Sequence, residues 1–100
     1  MAASFTYSIL GCQTWDIHDD NIDVEITLSD DRKYWATFFA ISNIRTLMNK
    51  NRITGECAGG IYLWSANMII LENLESKTIE RTIAGLIEDD ELDAICYRVS

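Results

Sequence analysis

The chain has no proline, a single histidine and no two cysteines at C-x-x-C spacing. It has half as many cations as acids, eight against sixteen, for a formal net charge of −8 at pH 7. Each shortage excludes something. Cys12, Cys57 and Cys96 form an odd, widely spaced set, which fits a reducing compartment rather than a disulfide framework. The anionic surplus is at odds with general affinity for nucleic acid or an anionic membrane. No apolar run reaches the length of a membrane span. The opening "MAASFTYSIL" lacks the basic segment and long apolar core of a secretory signal, so the expected location is the cytoplasm. No repeat, linker or low-complexity tract divides the chain.

What remains is a globular composition. One hundred residues suffice for one domain, taken as 1–100, and 48% of them are hydrophobic. Three Trp, four Tyr and three Phe supply large pieces for a single core.

Periodicity outlines the elements. "SFTYSILG" alternates Phe5, Tyr7 and Ile9 with polar residues, as a half-buried strand does. "NIDVEITL" sets Ile22, Val24, Ile26 and Leu28 against Asp23, Glu25 and Thr27. With "KYWATFFA" it predicts an antiparallel hairpin, Asp23–Leu28 and Lys33–Phe39, turning at Asp30 and Asp31. "ISNIRTLMNKN" changes to a helical period, with Ile41, Ile44, Leu47 and Met48 on one face and Ser42 as a capping residue. "ITGECAGG" reads as a loop, and "IYLWSANMIILEN" as either a hairpin or one kinked strand. "ESKTIERTIAGLIEDD" predicts a second helix, capped by Ser76, with a stripe of Ile79, Ile83, Leu86 and Ile87. "AICYRV" closes as a short strand. The order β-β-β-α-β-β-α-β implies an α+β domain, a mostly antiparallel sheet of five to six strands with two helices on one face.

Charge is distributed unevenly. "WDIHDDNIDVEITLSDD" holds seven carboxylates, Asp16, Asp19, Asp20, Asp23, Glu25, Asp30 and Asp31, and no lysine or arginine. "EDDELD" adds Glu88, Asp89, Asp90, Glu91 and Asp93. The second helix carries Lys77 and Arg81 in its first turns and acids at its end, the reverse of what its dipole favours. Local stability therefore does not account for the second run. Either it is a solvated exit loop or it meets an electropositive partner. Seven anions without a cation also exceed what protection of a sheet edge requires. An acidic surface of this kind accelerates encounter with a basic protein.

Motifs for chemistry are weak. "D-I-H-D-D" around His18 lacks the glycine and terminal glutamate of a calcium loop, and has too few nitrogen or sulfur ligands for zinc. No flanking signature supports His18 with any cysteine as a nucleophilic pair. "TGECAGG" has neither the lysine of a P-loop nor the spacing of a dinucleotide fingerprint. No catalytic residue, metal or cofactor is expected. Trp35 alternates with Tyr34, so one of the two faces away from the core, where it could join a dimer or partner surface.

The block "YWATFFAISNIRTLMNKNRITGECAGGIYLWSANMIILENL", followed by "TIERTIAGLIEDDEL", resembles a family of small bacterial immunity proteins. These neutralise polymorphic toxins, including those of contact-dependent growth inhibition. The likeness spans Tyr34 to Tyr97, and "NRITGECAGGIYLWSANMII" is its most specific run. It implies an α+β fold, no enzymatic activity, residence in the cytoplasm of the producing cell, and tight binding of a cognate toxin domain. A nuclease toxin is expected, because a phosphate-gripping site is cationic and carboxylates can occupy it. The twelve acids named above are the candidate contact residues. The alternatives are a self-associating acidic module, as a homodimer through the aromatic sheet face, and a small ligand-binding domain.

Overall fold

The computed structural model describes residues 4–100. β1 (Phe5–Leu10), β2 (Asn21–Leu28) and β3 (Lys33–Ala40) lead directly into α1 (Ile41–Thr54) and the short α2 (Glu56–Gly60). Then follow β4 (Met68–Leu71), α3 (Ser76–Glu88), the single turn α4 (Leu92–Ile95) and β5 (Tyr97–Arg98). The fold is α+β, built on one five-stranded sheet. β1 pairs with β2, β2 with β3, and β5 with the start of β3, all antiparallel; β4 joins the end of β3 in parallel.

The period-2 pattern of β2 makes the core. Ile22, Val24, Ile26 and Leu28 are all buried, and across the ladder stand Tyr34, Ala36 and Phe38 of β3. α3 closes this face with Ile79, Ile83 and Leu86, and Leu71, Leu74, Leu92 and Cys96 complete the cluster. Phe5, Tyr7 and Ile9 of β1 pack against its margin, as their alternation predicts. α1 contributes no side chain to the cluster, and its Ile41 stays 61% exposed. The molecule is correspondingly long, 45 × 24 × 23 Å.

Three local expectations are corrected. The segment after "GG" is neither a hairpin nor one kinked strand: only Met68–Leu71 pairs, and Ile61, Tyr62 and Trp64 are exposed. The parallel pairing explains this. α1 carries the chain about 21 Å from the end of β3. β4 must start beside Thr37 and run the same way, so roughly six residues in extended form return the same distance. Neither Ser42 nor Ser76 caps a helix. α1 follows Ala40 without a loop, and the Ser42 hydroxyl donates instead to the His18 carbonyl. At α3 the capping position is Glu75, and the Asn73 side chain accepts from the Glu75 amide and the Thr78 hydroxyl. "ITGECAGG" is no open loop either. α1 ends on Gly55 at φ 87°, and Cys57, Ala58 and Gly59 continue left-handed at φ 51°, 52° and 74°.

Candidate functional site

The β2–β3 turn is a three-residue loop. The Asp31 amide donates to the Leu28 carbonyl and the Leu28 amide to the Arg32 carbonyl, while Asp31 takes φ 71°, which Asp tolerates better than most residues. The Asp30 carboxylate accepts from the Arg32 amide at 3.2 Å and from its Nε at 2.8 Å. Those two bonds hold the Asp30 carboxyl below its ordinary range, the backbone one contributing most. The Arg32 guanidinium continues to the Tyr34 hydroxyl at 3.4 Å, and that hydroxyl donates to Asp93 at 2.8 Å. Burial, then the Asp93 bond, raises the Tyr34 pKa.

This chain of contacts joins segments sixty residues apart. Arg32, Tyr34, Ile87, Asp90 and Asp93 line one small hollow, so the hairpin turn and the α3–α4 junction form one end of the molecule. Asp30, through Arg32, therefore comes to the same end as Asp90 and Asp93; Asp31 follows Asp30 in the exposed turn, and Glu88, Asp89 and Glu91 lie on the exposed α3–α4 junction. Asp90 stands at φ 55° in the turn that ends α3. Two backbone bonds close this turn, the Asp90 amide on the Ile87 carbonyl and the Glu91 amide on that of Leu86.

The remaining acids lie elsewhere. β2 separates Asn21 from Leu28 by roughly 25 Å, placing Asp16, Asp19 and Asp20 at the opposite end. There they build structure. Asp16 Oδ1 accepts from the His18 and Asp19 amides, and Asp20 from those of Asp16 and Asn21. Asp19 accepts from Asn43 Nδ2 and Thr46 Oγ1, each at 2.9 Å, tying the loop to the first turns of α1. The Asn43 side-chain oxygen in turn accepts from Asn21 Nδ2. The Ile17 carbonyl and the Trp15 indole grip the backbone of Leu74. Asp23 accepts from Thr37 Oγ1 across the outer face, where Glu25 sits opposite Trp35. The twelve candidate acids thus form two groups and an outer-face pair rather than one continuous surface. Among the described residues the sole ion pair is Arg32–Asp30, so the hydrogen bonds that hold Asp16, Asp19, Asp20, Asp23 and Asp93 leave their charge uncancelled.

Asn43 is only 6% exposed, which gives Asp19 a structural task that charge counting alone could not reveal. Asp19→Ala is expected to destabilise the fold by about 1–3 kcal/mol, because the Asn43 amide loses its acceptor in a dry position. Thermal unfolding at neutral pH measures this; an unchanged midpoint would mean that water replaces the carboxylate freely.

Among the described residues no three His, Cys, Asp or Glu side chains converge as a metal site. The thiols are free, Cys12 exposed, Cys57 half-buried and Cys96 buried. Burial pushes the Cys96 thiol up to about 11, which is unsuited to a thiolate nucleophile at neutral pH. Tyr34 takes the core position, and Trp35 lies on the outer face beside Tyr97, itself 61% exposed. No helix among the described residues is long and apolar enough to cross a membrane. No family model, curated protein or solved structure matches the chain.

Proposed function

We propose that this chain is an inhibitory binding partner, an immunity protein of the kind its sequence resembles, which captures a cationic toxin domain without catalysis. The toxin is a nuclease, and the cytoplasm is where the two meet. The observation that carries this reading is the meeting of Asp30, Asp90 and Asp93 around Arg32 and Tyr34 at one end of the molecule, with Asp31 next to Asp30 in the exposed turn. A cationic cleft placed against that end would exchange phosphate contacts for carboxylate ones. Long-range attraction would also speed capture at low salt.

The charge test must avoid acids that hold the fold. Asp31, Glu88, Asp89 and Asp90 are exposed and their carboxylates make no internal hydrogen bond among the described residues, unlike Asp19 and Asp20. The quadruple variant Asp31→Asn, Glu88→Gln, Asp89→Asn, Asp90→Asn keeps residue types that accept positive φ at 31 and 90. The probe is the C-terminal domain of whatever protein the gene immediately upstream encodes. Stopped-flow association should slow about tenfold or more at low salt, and its salt dependence should flatten. Equal rates and slopes for variant and parent would remove the acidic end from the mechanism. Failure of the two proteins to bind at all would remove the immunity reading.

A second reading rests on the outer sheet face, where half-buried Trp35 adjoins exposed Tyr97. If the chain self-associates there, sedimentation should show a dimer that Trp35→Ala dissociates.

A further inference from the structure

β4 leaves one sheet edge open between two helices. Among the described residues it pairs with β3 on one side only, in the register Thr37 with Met68 and Phe39 with Ile70. The Thr37 amide donates to the Asn67 carbonyl. In a parallel ladder this bond turns the amides and carbonyls of Asn67, Ile69 and Leu71 toward β3. The same groups of Met68 and Ile70 therefore point outward, a short template for another strand. Ile70 is 52% exposed and lies in two depressions. One, of about 510 Å³, is formed with α1 and contains Ile41, Ile44, Met48, Arg45 and Arg52. The other, of about 620 Å³, is formed with α3 and contains Lys77 and Arg81 beside Glu72 and Glu75.

Half of the eight cations of the chain thus flank this one edge. None of the four is ion-paired among the described residues, although acids outnumber them throughout the sequence. The α1 side is apolar and cationic with no acid in its lining. The opposite edge, β1, carries no charged residue at all.

We propose that the β4 edge receives an extended acidic segment of a partner protein as an added strand. Its backbone pairs with Met68 and Ile70, alternate apolar side chains settle on Ile44 and Met48, and its carboxylates reach Arg45 and Arg52. Main-chain bonds supply affinity in this mode, and the flanking pockets and charges supply specificity. The surface is distinct from the acidic end and does not depend on the toxin reading.

A synthetic peptide alternating Val or Ile with Asp or Glu tests this, beside a control with Lys at each acidic position. Amide chemical shifts of the full chain should move at Met68 and Ile70 with the acidic peptide and not with the control. Arg45→Glu with Arg52→Glu should weaken binding about tenfold or more. Both side chains are exposed and make no hydrogen bond among the described residues, so that variant keeps the fold. Ile70→Pro removes an amide that faces outward, and should abolish binding while leaving the β3–β4 pairing intact. The proposal is overturned if neither peptide binds, if both bind alike, or if the charge-reversed variant binds the acidic peptide as well as the parent. It is equally overturned if the edge is found occupied by a second copy, or if single-stranded RNA displaces the peptide.

Discussion

Gly60→Ala is expected to cost about 3 kcal/mol or more and to release the α2 turn from α1. Gly60 is buried at φ 86°, and a methyl group there would stand 2.2 Å from the Met48 carbonyl oxygen. It would also meet Arg52 at 2.8 Å from Cγ and 3.0 Å from the backbone nitrogen. A left-handed L-residue costs roughly 1–2 kcal/mol by itself, and forcing apart packed backbone adds about 1–3 kcal/mol. Because the Met48 oxygen belongs to a helical backbone, it cannot rotate aside as a flexible side chain would. Ala58→Gly supplies the opposite sign. Ala58 already holds φ 52°, so removing its methyl group relieves strain and should stabilise by up to about 1 kcal/mol. Gly59, with nothing near its added carbon, separates the two effects: Gly59→Ala carries the conformational cost without the collision. Chemical denaturation with hydrogen exchange on α1 measures all three. Equal losses for Gly59→Ala and Gly60→Ala would show that contact with Met48 does not matter.

The second large effect is alkaline instability traced to Cys96. Its thiol is pushed from 9.0 to about 11 by burial. In the unfolded chain it ionises first, so above pH 9 the unfolded state holds fewer protons and stability falls as pH rises. The contribution is fully present below pH 9 and is gone once pH has passed about 11. Two pH units correspond to roughly 2.7 kcal/mol, and residual solvent screening lowers the expected loss to about 1–2 kcal/mol. The phenols of Tyr34 and Tyr7, both raised chiefly by burial, extend the same decline above pH 10. Urea unfolding at pH 8, 9, 10 and 11 under reducing conditions should therefore show a falling curve for the parent. Cys96→Ala should start lower, from its small cavity, yet stay flat until the phenols ionise. Parallel curves would mean that the thiol is not what titrates.

These expectations show how unevenly the sequence discloses the molecule. The alternation of β2 and the stripe of Ile79, Ile83 and Leu86 are legible because burial repeats at the period of the element itself. The Ile41, Ile44, Leu47 and Met48 stripe has the same helical signature, yet none of it enters the core cluster. Periodicity reports that a face is apolar and is silent on what covers it. Likewise, "SAN" and its β-prone flanks carry strand propensity, and the parallel placement of β4 overrode it for Ile61–Trp64.

By itself the sequence determined the fold class, the hairpin and its turn, the single core and the −8 charge, since each follows from local pattern or plain counting. The tertiary structure alone decided which acids are free and which are structural. It brought Asp93 to Tyr34 and Asp90 to the hairpin end, and it gave Asp19 to Asn43 and Thr46. It also gathered Arg45, Arg52, Lys77 and Arg81 around one open edge. The physical reason is common to all three: what a charged side chain does depends on its neighbours in space, and those are set by how strands pair and helices cross, which no count of residues along the chain records.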